Sequence, residues 1–179
     1  LRGKYPLVTG GGGGNARFAG GGGGGNYNAG GSGGTQSSEC ATTPSETKGR
    51  GGLGMGSSIY YNDEGTIFTS NANRIFFGGG GGSGTQSLVP SIPASKGGTG
   101  GGIVVIIADT IVAEQKDATS RYAIKANGES VTDVAMAGAG GGGAGGCIVL
   151  DVNHYSTELS LYADGGDGGN TSNTFYPGP

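Results

Sequence analysis

Apolar positions along this chain gather into short blocks, and the stretches between them carry almost no side chains. The strongest block, IVVIIADTIVA (residues 103–113), is rich in β-branched residues and predicts a strand ending at the polar stretch EQKDATS. RYAIKANG follows. There Tyr122, Ile124 and Ala126 alternate with Arg121, Ala123 and Lys125, the period of a half-buried strand. The same order returns in GGCIVLDVNHYSTELSLYADGG (residues 145–166): apolar strand, polar turn, second strand, Ala-Asx-Gly, then more glycine. A fainter copy lies in GSSIYYNDEGTIFTSNANRIFFGGGGG (residues 56–82), where Ile59, Tyr60 and Tyr61 lead through Asn-Asp-Glu-Gly to Ile67 and Phe68. GGSGGTQSS and GGSGTQSL also echo each other. The pattern predicts roughly three degenerate strand-turn-strand repeats, which must stack because one repeat cannot bury its own apolar face. Helical periodicity is confined to residues 112–119.

Between the blocks lie glycine runs at 10–14, 20–25, 78–82, 100–102 and 138–146, the last interrupted by Ala139 and Ala144. Glycine loses more backbone freedom on folding than any other residue, so ordering such runs needs a specific compensation. A left-handed helix of three residues per turn points every N–H and C=O outward. Several such helices without side chains can approach closely enough to bond one another. Each bond contributes only about 1 kcal/mol net, while a buried unpaired group costs about 1–3, so the packing is all or nothing. Asn15, Asn26, Asn28 and Asn71 are placed where runs turn, since Asn tolerates left-handed geometry. The expected fold is therefore mainly β and irregular, with stacked degenerate repeats and packed polyglycine helices of the polyproline II type. A flexible linker is the competing reading of the runs.

Composition narrows the picture further. Glycine accounts for 46 of 179 residues without a Gly-X-Y period, which rules out collagen. Hydrophobic residues reach 33% and charged residues only 13%, unlike a disordered chain. A net charge of −3 with scattered Lys and Arg gives nucleic acid no basic face. IVVIIA is far too short to span a bilayer. No Gly-Lys-Ser/Thr occurs, so Gly-x-Gly-x-x-Gly matches carry no weight as phosphate loops. The chain opens on Leu1 rather than Met, and a processed product or a fragment is expected. It divides into an extended N-terminal arm (1–9), a single glycine-rich repeat domain (10–170) and a C-terminal tail (171–179). Cys40 and Cys147 are either two buried thiols or a disulfide; a bridge would close a loop of about a hundred residues and contribute about 4 kcal/mol in the chain-entropy model. Such a bridge would imply an oxidising, extracellular setting.

Chemistry is sparse. His154 is the only histidine, and neither Cys147 nor Ser156 makes a catalytic pair with it on any sequence signal. Two Cys and one His are too few for a four-ligand zinc site. In ADGGDGGN, Asp164, Asp167 and Asn170 recur every third residue among glycines and are candidate oxygen ligands for a structural calcium ion. No other cofactor is expected. Tyr60, Tyr61, Asn62 and Phe68 combine aromatic and amide side chains and form a candidate recognition loop for a host receptor or a glycan; the alternative is that these rings fill the core. Tyr5, Leu7 and Val8 make the N-terminal arm a candidate assembly strand that adds to a neighbour's sheet edge.

The blocks GGTGGGIVVIIADTIV…YAIKANG and GGGAGGCIVLDV…LSLYADGGDGG resemble the glycine-rich repeats of bacterial and phage surface proteins, among them phage tail-fibre tip adhesins and bacterial surface adhesins. The resemblance covers mainly residues 97–170. It implies an extracellular, cell-surface or virion location, packed polyglycine helices presenting loops to a host receptor, and no catalysis. The strong strand blocks depart from the tail-tip type and predict a core that is part sheet. The expected function is a non-enzymatic structural and adhesive module, a subunit of a surface filament or fibre with homo-oligomeric neighbours. The alternative is a monomeric receptor-binding tip. A glycine-rich ice-binding protein is a third class, disfavoured by the irregular spacing of small residues.

Overall fold

The computed structural model describes residues 3–16, 18–35, 47–56, 75–86, 94–113, 122–156 and 158–172, and the backbone alone of 59–61 and 67–69. It is strand-rich and contains no helix among the described residues. The strands are β1 (Ile59–Tyr61), β2 (Ile67–Thr69), β3 (Ile103–Ile111), β4 (Ala123–Lys125), β5 (Val134–Ala135), β6 (Cys147–Tyr155), β7 (Ser160–Tyr162) and β8 (Asn170–Thr171). β1 and β2 form an antiparallel pair with Tyr60 opposite Phe68. The other six form three parallel pairs, β3–β6, β4–β7 and β5–β8. Two successive stretches of chain thus run side by side in the same direction. The strands of each stretch pair between stretches, Ile103 opposite Cys147 and Ile124 opposite Leu161, and not with one another.

Side chains do not make the core. The buried apolar residues are Ala19, Ala113, Ala126, Ala135, Ala137, Ala139 and Ala144, and no large side chain among the described residues is fully buried. No described aromatic side chain is buried either; Tyr27 and Phe77 are 73% and 67% exposed. What is buried is main chain, and residues 137–145 are buried without a break.

The glycine runs are joined by backbone hydrogen bonds that return to the same partner every third residue. Along residues 20–25, the N–H groups of Gly20 and Gly23 donate to Gly34 and Gly31, those of Gly21 and Gly24 to Ala139 and Gly142, and those of Gly22 and Gly25 to Gly12 and Thr9. Residues 78–85 behave alike: Gly78, Gly81 and Gly84 donate to Gly101, Gly98 and Ser95, and Gly79, Gly82 and Thr85 to Gly25, Gly22 and Ala19. Residues 138–146 lie at the centre. Gly141 and Ala144 donate to Gly82 and Gly79, while Gly143 and Gly146 donate to Glu129 and Ala126. Their carbonyls accept from three further sides, Ala139 and Gly142 from Gly21 and Gly24, Gly141 and Ala144 from Gly98 and Gly101, Gly140 and Gly143 from Gly169 and Gly166.

Glycine serves here by what it lacks. Gly3 is the one described glycine with a left-handed φ, +97°. A Cβ added at Gly141 would collide with the Gly22 carbonyl, at Gly82 with that of Gly12, and at Gly24 with that of Gly79. Two tight turns instead put non-glycine residues in the left-handed region. Val8 (φ 54°) lies inside the turn where Leu7 and Gly10 exchange both bonds, and Phe18 (φ 66°) inside the turn closed by the Ala19 N–H on Ala16. For β-branched Val8 that conformation is strained.

Candidate functional site

Where backbone partners run out, short polar side chains replace them. Ser95, itself buried, accepts the Gly140 N–H on Oγ at 3.0 Å. Thr85 Oγ1 accepts from the Gly138 N–H at 3.2 Å and donates to the Ala19 carbonyl at 3.1 Å. Asn127 Oδ1 and Ser130 Oγ accept the N–H groups of Asp164 and Asp167 at 3.0 and 2.9 Å. Asn26 Nδ2 donates to the carbonyls of both Gly145 and Gly146, pinning the end of the central run. Of the asparagines expected where runs turn, Asn26 and Asn28 lie in the bend after the run 20–25, Asn15 precedes the bend at Ala16, and Asn71 lies outside the described residues. The roles of Ser95, Thr85, Asn127 and Ser130 were missed, although the shared step of three in Asn127/Ser130 and Asp164/Asp167 was present to be read.

One groove, with a volume of about 390 Å³, opens between the runs. Its floor is Gly20, Gly21, Gly23 and residues 139–142, and its two walls are residues 31–34 and Gly166 with residues 168–171. Most of the lining residues are glycine; Phe18, Ser32, Ala139, Asn170 and Thr171 are the exceptions.

A second feature is the β3–β6 ribbon. Both outer edges lack a third strand among the described residues. Val105 and Ile107 are 51% and 77% exposed, and Val112 and Tyr155 lie open at its far end. Parallel strands are normally buried on both faces, whereas this pair leaves apolar side chains open.

The sequence-derived sites fall as follows. Asp164, Asp167 and Asn170 are exposed and succeed one another at steps of three along the last run, whose backbone is bonded to residues 128–131. No group of three or more His, Cys, Asp or Glu converges among the described residues. Cys147 opens β6, half-buried, with a free thiol; Cys40 lies outside the described residues. In the β1–β2 backbone register Tyr60 stands opposite Phe68 and Tyr61 opposite Ile67; their side chains and Asn62 lie outside the described residues. Tyr5, Leu7 and Val8 expose 55%, 84% and 54% of their surface. Their backbone, however, belongs to the network: Lys4 and Val8 accept from the N–H groups of Arg50 and Leu53. The Tyr5 ring carries the Lys4 ammonium at 5.1 Å and the Arg50 guanidinium at 4.9 Å. His154 is exposed on β6 opposite Thr110. No helix among the described residues is long and apolar enough to cross a membrane.

Two carboxyls are held below their ordinary range. The Thr99 hydroxyl, then the Thr99 N–H at 2.9 Å, donate to Glu129 Oε2 and lower its pKa. The Asn153 amide, then the Thr110 hydroxyl, lower that of Asp109. A carboxyl whose folded pKa is depressed stabilises the fold above its unfolded pKa and loses that contribution as pH falls through the folded value. Acidification below the ordinary glutamate range is therefore expected to lower the denaturation midpoint, and Glu129→Gln to reduce that acid sensitivity. Denaturant titrations of both proteins across the acid range check it; parallel pH profiles would show that the Thr99–Glu129 contact does not act on stability.

Compared with known protein families, known proteins and solved structures, the chain shows no significant match.

Proposed function

We propose that this chain is a non-enzymatic, extracellular structural and adhesive module, a subunit of a surface filament or fibre. One observation carries the reading: bonding partners repeat every third residue along run after run. That step is the period of an extended helix with three residues per turn. Packed helices of that kind make a stiff, all-or-nothing lattice of main chain, suited to bearing load and to holding short loops in place. The parallel pairing of β3, β4 and β5 with β6, β7 and β8, in chain order, supports stacked repeats of one plan. The β3–β6 ribbon lacks a third strand at either edge among the described residues, and this with its exposed apolar residues supports homo-oligomeric neighbours, because an unpaired edge is a template for another chain. Its host surface would be that of a cell or a virion, with a receptor or a glycan as the adhesive partner.

Amide exchange tests the scaffold. The N–H groups of Gly21, Gly24, Gly82, Gly141 and Gly143 are expected to exchange orders of magnitude more slowly than in an unfolded peptide. Exchange at the unfolded rate would remove the lattice and the function built on it. Electron micrographs of the purified protein then separate the two adhesive roles: repeating filaments support the proposal, while single compact particles would replace it with a monomeric receptor-binding tip.

A further inference from the structure

The two floor runs of the groove leave matching backbone groups open on the same side. Around residues 138–146 five directions are taken, by residues 21–24, 79–82, 98–101, 126–129 and 166–169. The sixth set of groups, the N–H of Ala139 and Gly142, has no partner among the described residues, although both residues are buried. Around residues 20–25 the carbonyls of Gly21 and Gly24 likewise accept no N–H among the described residues, and Gly21 lines the groove while Gly24 lies one turn beyond its lining. The groove lies where these two deficits meet: residues 166–169 flank one run and 31–34 the other. Donors three residues apart thus stand beside acceptors three residues apart. Buried backbone groups are nearly always paired, so this array calls for a partner.

From this geometry we infer that the groove binds an extended, glycine-rich peptide strand supplied by another polypeptide. The strand takes three residues per turn and repeats as Gly-Gly-X. Its carbonyls accept from Ala139 and Gly142 while its N–H groups donate to Gly21 and Gly24. Two glycines in three are required because the strand meets backbone on its inner sides; at the neighbouring contacts a Cβ on Gly33 or Gly141 would collide with the carbonyls of Gly20 or Gly22. The third position faces solvent between the walls. There a Cβ on Gly31 meets nothing within 4 Å, and one on Gly168 comes no closer than 3.6 Å to the Gly140 carbonyl. Recognition is thus by main-chain bonding and by the absence of side chains. The inference rests on the three-residue reading of the runs.

The test is a titration of the intact protein, followed by amide NMR, with a terminally blocked, uncharged peptide (Gly-Gly-Ser)3 and its counterpart (Ala-Ala-Ser)3. The glycine peptide is expected to shift the Ala139 and Gly142 amides saturably and to leave those of Gly141 and Gly143 in place. The alanine peptide is expected to shift none of them. Gly31→Leu and Gly168→Leu fill the mouth of the groove without meeting the core, and each is expected to weaken binding at least tenfold in a folded protein. No saturable shift, equal binding of the alanine peptide, or undiminished binding by both folded variants would overturn the proposal. Protection of Gly141 and Gly143 from exchange separates the two failures: if both are protected and the peptide does not bind, the groove assignment alone is wrong.

Discussion

Gly141→Ala is expected to unfold this protein, and Gly102→Ala to leave it folded and slightly more stable. Both substitutions add one methyl group, and neither glycine has a left-handed φ that Ala would resist. At Gly141 the new Cβ would stand inside the Gly22 carbonyl and 2.7 Å from the Gly23 nitrogen. Neither neighbour is the tip of a flexible side chain; each is main chain already bonded on other sides. Making room means moving the central run, which breaks the 2.9 Å bonds from Gly141 to Gly82 and from Gly98 to Gly141. Overpacking a close-packed site costs about 1–3 kcal/mol, and each buried group left unpaired about 1–3 more. A total near 5 kcal/mol is comparable with the whole stability of a small domain, about 5–15 kcal/mol. At Gly102 a Cβ meets nothing within 4 Å. Ala there only restricts the unfolded chain, a gain of about 0.4–1 kcal/mol. Denaturant midpoints of the two variants check the contrast. Equal, small effects would mean that the runs yield to a methyl group and are not a packed lattice.

That contrast also marks what could be read in advance. The blocks around IVVIIADTI, AIK, CIVLDVNHY and SLY were legible as strands because β-branching and alternation are side-chain signals. The likeness of YAIKANG to LSLYADGG also lies on the page, and those segments pair as β4 and β7. Partner choice was not legible. β3, β4 and β5 pair with β6, β7 and β8 and not with one another, and a sequence shows its periods without showing which segment lies beside which. Register within the glycine runs was hidden for a deeper reason: a run of identical residues without side chains fits its neighbours equally well at many offsets. The offsets are set by the polar residues at its ends, such as Asn26 on Gly145 and Gly146 and Ser95 on Gly140. The groove had no signature at all, since its functional groups are the N–H and C=O that every residue carries.

Deleting residues 1–9 is expected to cost several kcal/mol of stability, in addition to any effect on assembly. The carbonyls of Gly3, Lys4, Val8 and Thr9 accept from Gly13, Arg50, Leu53 and Gly25 at 2.7, 2.8, 2.8 and 2.7 Å. Gly25 is buried, and Lys4 is only 2% exposed. Each orphaned N–H costs about 1–3 kcal/mol where water stays out and less where it enters, so the four together come to about 4 kcal/mol. A thermal melt reads the loss directly, and an unchanged midpoint would show that the segment stands apart from the fold. Deletion alone therefore cannot report on assembly, because a weakened lattice would also fail to polymerise. Leu7→Ser with Val8→Asn separates the two roles. It keeps every backbone bond, removes the apolar surface of the two exposed side chains, and gives the left-handed position a residue that tolerates it. This double variant is expected to melt at or above the parent temperature while losing filaments. Filaments that persist would assign assembly to the β3–β6 edge and leave residues 3–9 a purely structural role within the lattice.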